Sequence, residues 1–238
     1  ALLLTAPGAH PAEVTLLMSN ALKTVMEDIA PRFESTTSDK LLITYGSTNP
    51  LKARIEKGEA FDLTILGDVA INDLIKQGRL AASTRVVVAR SRLGVAILKG
   101  TPKPDLTTAD AFKRALLNAK SIGYLDDGLT GTYLKTLFAR LGITDSVKSK
   151  YRNTRGAEAV ARGEVELGIT QISEILFQRG TELAGPLPSA IQNYTDFSSA
   201  ISAEPRQPDA AKLLLRYFTS PEALRVMQAN GLQPASAN

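Results

Sequence analysis

The stretch LLITYGSTNPLKARIEKG, residues 41–58, changes rhythm halfway and so decides how the rest is read. LLITY is a short apolar run of the kind that forms a strand buried on both faces. Beyond it, Leu51 and Ile55 recur at helical spacing, and Gly58 supplies a stop. Between the two lies YGSTNP, where Gly, Ser, Thr and Asn gather in front of a proline. A linker can have this composition. So can a loop that turns hydroxyls and backbone N–H groups toward an anion. Asn49 followed by Pro50 predicts a helix start, a preferred cap residue with proline in the first turn. The loop is therefore the mouth of a helix at the carboxyl end of a strand, where parallel sheets place ligands. Unpaired N–H groups and the helix dipole favour negative charge there, and Ser47 and Thr48 add hydroxyl donors.

The same rhythm runs through the chain. Residues 14–18 (VTLLM) and 62–66 (DLTIL) are strand-like. Leu22, Val25, Met26, Ile29 and Phe33 mark a first helix, and Asp68 caps another that carries Ile71, Leu74 and Ile75 and ends at Gly78. Strands joined by helices in this way form right-handed units of a parallel sheet. Residues 85–98 are too long for an ordinary strand and are read as an extended crossing into a second lobe. Thr107 is the expected cap of the helix that follows. Strands are then expected at 121–125, 148–152 and 165–170, and helices at 131–141, 155–162 and 173–178. Residues 185–204 are interrupted by proline and then β-like, and should cross back. Two helices close the chain, the second opened by Ser220 and Pro221. The expected fold is α/β: a two-lobed clamshell, each lobe a mostly parallel sheet flanked by helices, joined by two hinge crossings. Lobe 1 is expected to take residues 13–86 plus 192–238, and lobe 2 residues 87–191, with 1–12 as a leader remnant or extension. The cleft between the lobes is the natural ligand site.

Composition narrows the chemistry. Among 238 residues, 44% are hydrophobic and only 5% aromatic with no Trp, so the core is built from Leu, Ile, Val and Ala. The net charge of +4 comes without a basic cluster, which suits attraction of small anions and argues against nucleic acid. With no Cys there are no disulfides, thiol nucleophiles or thiolate metal sites. ALLLTAPGAHPA, residues 1–12, resembles the tail of a secretory signal peptide, so export to the periplasm is expected. No segment approaches the roughly 18 apolar residues of a membrane span, and no membrane insertion is expected. The one histidine, His10, lies in that leader, so a Ser–His–Asp triad is not available. No phosphate loop, HExxH or GxSxG occurs. Asp126–Asp127–Gly128 reads as a turn. No spacing suggests a metal, and no cofactor is expected.

Three more helix starts carry hydroxyl or amide residues: Ser19–Asn20, Thr130–Gly131, and Thr154–Arg155–Gly156. Each alone is ordinary capping. Two per lobe around one cleft form an anion cradle.

In the order and spacing of VTLLMSNALKTVMEDIAPRFE, ITYGSTNPLKARIEKGEAFDLTIL, KPDLTTADAFKRALLNAKSIGY, TGTYLKTLFARLGI and ELGITQISEIL, the chain resembles type II periplasmic solute-binding proteins of the molybdate-binding-protein-like branch. The likeness covers nearly the whole chain from Val14. It implies two hinged lobes, an oxyanion held by hydroxyls and backbone amides, and an ABC transporter permease as partner. It carries the family's second serine loop onto Ser47 and Thr48, a far-lobe helix-start contact onto Thr130, and a backbone contact onto Thr154. Two positions depart: the first family serine falls at Ala21, beside Ser19 and Asn20, and a tyrosine of molybdate binders is Gln171 here. Arg152 and Arg155 flank a far-lobe helix start, where a guanidinium can pair bidentately with a carboxylate.

The reading is an exported, monomeric solute-binding protein that captures a small anion, an organic carboxylate rather than molybdate, for an ABC transporter. Its expected ligand groups are Ser19, Asn20, Ser47, Thr48, Asn49, Thr130, Gly131, Thr154, Arg155 and Gln171. The alternative is a cofactor-free isomerase of an unsaturated tricarboxylate, resembling the aconitate isomerases built on a similar scaffold. Lys23, Tyr133, Asp126 and Glu158 are conceivable bases, with none singled out.

Overall fold

Apolar runs flanked by amphipathic helices pair as their alternation requires. The computed structural model describes residues 11–233. His10 and residues 1–10 of the leader-like stretch lie outside the described residues. The first elements are β1 (Glu13–Ser19), α1 (Lys23–Thr37), β2 (Lys40–Gly46), α2 (Thr48–Glu56), β3 (Leu63–Gly67) and α3 (Asp68–Lys76). A single long strand, β4 (Val86–Leu98), follows, and then α4 (Ala109–Asn118), β5 (Ile122–Tyr124), α5 (Leu129–Leu141), α6 (Thr144–Lys148), β6 (Tyr151–Asn153) and α7 (Gly156–Ala161). The chain closes with β7 (Leu167–Gln171), α8 (Ile172–Phe177), β8 (Thr181–Pro186), β9 (Tyr194–Ile201), α9 (Pro208–Phe218) and α10 (Pro221–Ala229).

The fold is the two-lobed α/β clamshell. β1 pairs in parallel with β2 and β3, and β5 pairs in parallel with β6 and β7. Antiparallel ladders join the two sets: β9 runs beside β3 and the first half of β4, while the second half of β4 runs beside β7 and β8. Val88 and Ala89 sit in the core built on Val14, Leu16, Phe33 and Phe197, whereas Leu93 and Val95 sit in the core built on Phe112, Ile122, Leu134 and Ile169. One strand thus passes between two hydrophobic cores within a few residues. A buried acid ties the first lobe together. The Asp62 carboxylate accepts the N–H groups of Thr15 and Gln207, each at 2.8 Å, so its charge is compensated where no solvent reaches.

Several local expectations shift. Asn49 is not the cap of α2. Ser47 is, with extended backbone, and its carbonyl accepts the Leu51 N–H at 3.1 Å. Pro50 remains in the first turn, where its missing N–H costs nothing. Asp68 opens α3 behind a Gly67 cap. Thr108, not Thr107, caps α4 by accepting the Ala111 N–H at 3.1 Å, because Thr107 is held by Asp105. The strand expected at 148–152 is the end of α6 and the start of β6. Ile143 and Val147, four residues apart, bury one short helical face there. β8 was missed because TELAG lacks β-branched density and runs into Pro186, which the end of a strand tolerates.

Two glycines in the second lobe set the walls of the cleft. A Cβ on Gly131 would stand 2.4 Å from the Leu125 carbonyl oxygen, and one on Gly156 would stand 2.7 Å from that of Gly123. Only hydrogen fits at either place, so α5 and α7 begin hard against the ends of the strands.

Candidate functional site

A cavity of about 90 Å³ lies where the carboxyl ends of β1 and β2 face those of β5 and β7. From the first lobe it is lined by Ser19 and Asn20 after β1, and by Ser47 and Thr48 after β2. From the second it is lined by Thr130 of α5, Arg155 at the cap of α7, and Gln171 at the cap of α8. Three expected residues stand elsewhere. Asn49 is exposed and donates through Nδ2 to the Asp127 carbonyl at 2.8 Å, a bond between the lobes. Gly131 serves the packing just described. Thr154 donates its N–H to the Tyr124 carbonyl at 3.2 Å and packs its methyl toward Gly123.

The hydroxyls are placed by secondary structure. Ser19 caps a 3-10 turn at Asn20–Leu22, and Oγ accepts the Ala21 N–H at 3.4 Å. Thr48 is 3% exposed, and its Oγ1 accepts the Gly67 N–H at 3.2 Å, which leaves the hydroxyl hydrogen to donate. Ser47 makes no capping bond and faces Gly128 across the cleft. Two buried amide oxygens, Asn20 Oδ1 and Gln171 Oε1, have no partner among the described residues. Gln171 is 5% exposed and spends its Nε2 on the Thr195 hydroxyl at 3.3 Å. Ala21, the position that departs from the family serine, sends no polar group into the cavity. Its carbonyl accepts the Ser173 hydroxyl at 2.8 Å, a second bond between the lobes.

Charge enters as two acids and two cations: Glu158, Glu174, Lys23 and Arg155. Arg155 donates to Glu158 at 3.0 Å, and Arg162 approaches the same carboxylate at 3.9 Å. Lys23 holds its ammonium 5.6 Å from the centre of the Phe177 ring. Glu174 is the acid that sequence reasoning missed. Thr170 donates its hydroxyl to Glu174 Oε2. Burial pushes the Glu174 carboxyl above the ordinary glutamate value. The Thr170 hydroxyl, the Arg155 charge and the Gln171 N–H oppose that rise, and Glu158 adds to it. Of the conceivable bases, Lys23 and Glu158 line the cavity. Tyr133 is bound to the Ile191 carbonyl at 2.7 Å, and neither it nor Asp126 lines the cavity. Arg152 also turns away, to the Tyr151 carbonyl. Among the described residues no group of three or more His, Cys, Asp or Glu could hold a metal, and no helix is long and apolar enough to cross a membrane.

Two lobes, strands crossing between them, and helix starts converging on the gap define the architecture of a solute-binding protein. The chain matches the family described as bacterial extracellular solute-binding protein over residues 14–233, and it belongs to that family. A relative named aconitate isomerase, from Pseudomonas sp., is 32% identical over 233 residues, covering 94% of this chain and 88% of its own. The molybdate-binding protein ModA of Azotobacter vinelandii is 26% identical over 240 residues, covering 96% of this chain and 92% of its own. The solved periplasmic molybdate-binding protein of Azotobacter vinelandii has the same fold, with a TM-score of 0.76 at 19% identity over 94% of this chain and 100% of that one.

Proposed function

We propose that this chain binds a small unsaturated tricarboxylate of the aconitate type in the interlobe cleft and isomerises it without a cofactor. The observation that carries this reading is the mixture in one cavity: donors suited to carboxylates, together with Glu174 and Glu158. A proton shift along a carbon chain needs one base in a site sheltered from water. In that shift a base removes a proton from the methylene carbon. The electron pair forms a new double bond to the central carbon, and the former vinylic carbon takes a proton back. Composition is unchanged, and no oxidant or reductant enters. The negative charge spreads into a flanking carboxylate, where Lys23, Arg155 and the hydroxyls of Ser47 and Thr48 stabilise it. The 32% identity to a protein named aconitate isomerase supports the same substrate class.

Family membership favours a second reading on the same cleft, an exported periplasmic carrier that hands a carboxylate to an ABC transporter unchanged. In both readings the protein acts as a monomer. Its lobes comprise residues 13–86 with 192–238 and residues 87–191, and ligand closes them.

Thermal-shift screening against cis- and trans-aconitate, citrate, molybdate, tungstate and sulfate tests the ligand class, since a bound anion raises the melting point by mass action. NMR of each aconitate isomer with catalytic protein tests the reaction. Stabilisation by aconitate with interconversion from either side is expected. Stabilisation without interconversion supports the carrier instead, and stabilisation by molybdate alone overturns the carboxylate assignment.

A further inference from the structure

We propose that Glu174 is the catalytic base that lifts the proton from the substrate and returns it, with Thr170 as its positioning residue; this rests on the isomerase reading above. The placement of α8 is the first ground. Its Ile172 and Ile175 are buried, and Ser173 is pinned to the Ala21 carbonyl at 2.8 Å, so the helix cannot slide and its one acid is aimed at the cavity. The second ground is orientation. The Thr170 hydroxyl donates to Oε2 and the Gln171 N–H also acts on the carboxyl, so the group is held in place, and a carboxylate's further acceptor sites remain for a substrate proton. The third ground is comparison with the other charged groups on the cavity. Glu158 is tied to Arg155 and Arg162 and its side chain is 40% exposed, so its oxygens are already engaged by cations at the edge of the cavity. Lys23 and Arg155 are the cations, suited to the substrate carboxylates.

Burial raises the affinity of Glu174 for the proton it must carry, which brings a carboxylate closer to the basicity the step requires. One carboxyl then suffices. It takes the proton from the methylene carbon as the double bond shifts, and delivers it to the former vinylic carbon on the same face of the planar intermediate. Glu174 ends as it began, and no water is consumed.

The test compares wild type with Glu174→Gln, whose amide still accepts the Thr170 bond but cannot take a proton. Turnover of trans-aconitate should fall by about 10²–10⁴-fold, while the thermal shift induced by trans-aconitate is retained. Activity within about threefold of wild type overturns the assignment of the base and leaves the isomerase reading standing. A wild type that is stabilised by aconitate but neither interconverts it nor exchanges its methylene protons with D2O overturns the isomerase reading itself. Thr170→Val provides a check that does not touch the carboxylate. The hydroxyl favours ionised Glu174, so its loss raises the carboxyl's proton affinity further and moves the acid limb of kcat/KM to higher pH. An unmoved limb in a folded Thr170→Val protein overturns the proposal even where Glu174→Gln fails to fold.

Discussion

The two walls of the cleft are built by the same device and filled with different chemistry. On the first-lobe wall, strands β1 and β2 end in Ser19, Asn20, Ser47 and Thr48, neutral donors and acceptors with Lys23 as the sole charge. On the second-lobe wall, β7 and the starts of α7 and α8 bring Arg155, Glu158, Thr170, Gln171 and Glu174. Neutral groups at helix starts can hold an anion in a shared geometry whatever its chemistry. The charged wall adds a carboxyl whose proton affinity burial raises, a group that can exchange a proton with what is bound. The walls therefore differ in charge and not in construction: neutral groups dominate one, and acids with a guanidinium the other.

Removing charge from the second wall should do the most damage. Arg155→Met should weaken trans-aconitate binding by roughly 1.5–3 kcal/mol, the range for hydrogen bonds to charged groups, read by titration calorimetry. A loss below that of a first-wall hydroxyl would reverse this ranking of the walls. Ser47→Ala, which deletes one neutral donor, should cost about 0.5–1.5 kcal/mol in the same titration, with turnover at saturating substrate nearly unchanged. A fall in saturated turnover larger than the loss in affinity would place Ser47 in the reaction. Asn49→Ala should do least. Its bond to the Asp127 carbonyl is exposed and closes the rim between the walls, so ligand release should quicken in stopped-flow while affinity changes by less than about 1 kcal/mol. A larger loss would place residue 49 on the ligand.

The first wall was legible in the sequence because its residues obey local rules. Ser19, Ser47 and Thr48 follow apolar strands and precede helices, and seven of the ten expected residues do line the cavity. Asn49 looked like a cap because it precedes Pro50, yet the helix begins earlier at Ser47, and this turns Asn49 out to the rim. The fold was legible for the same reason: β1, β3 and the crossing strand β4 are long or unbroken apolar runs. α6 and β8 were not, being a five-residue helix and a half-buried strand that ends at Pro186. Glu174 was hidden for a deeper reason. In SEIL a single acid among apolar residues reads as a solvent-facing position, and only the docking of α8 on the turn at residues 20–22 turns it into the half-buried wall of the cavity. The usable signal was that Glu174 lies in the first turn after β7, the same carboxyl-end position that identified Ser47 after β2.

The most direct test is a crystal structure of Glu174→Gln with trans-aconitate. The account predicts the ligand in the cavity between Ser47 and Arg155, its carboxylates on Lys23, Arg155 and the hydroxyls, and its methylene carbon about 3–3.5 Å from the residue 174 amide. A ligand bound outside the cleft, or one that turns a carboxylate rather than its methylene carbon toward residue 174, would contradict it.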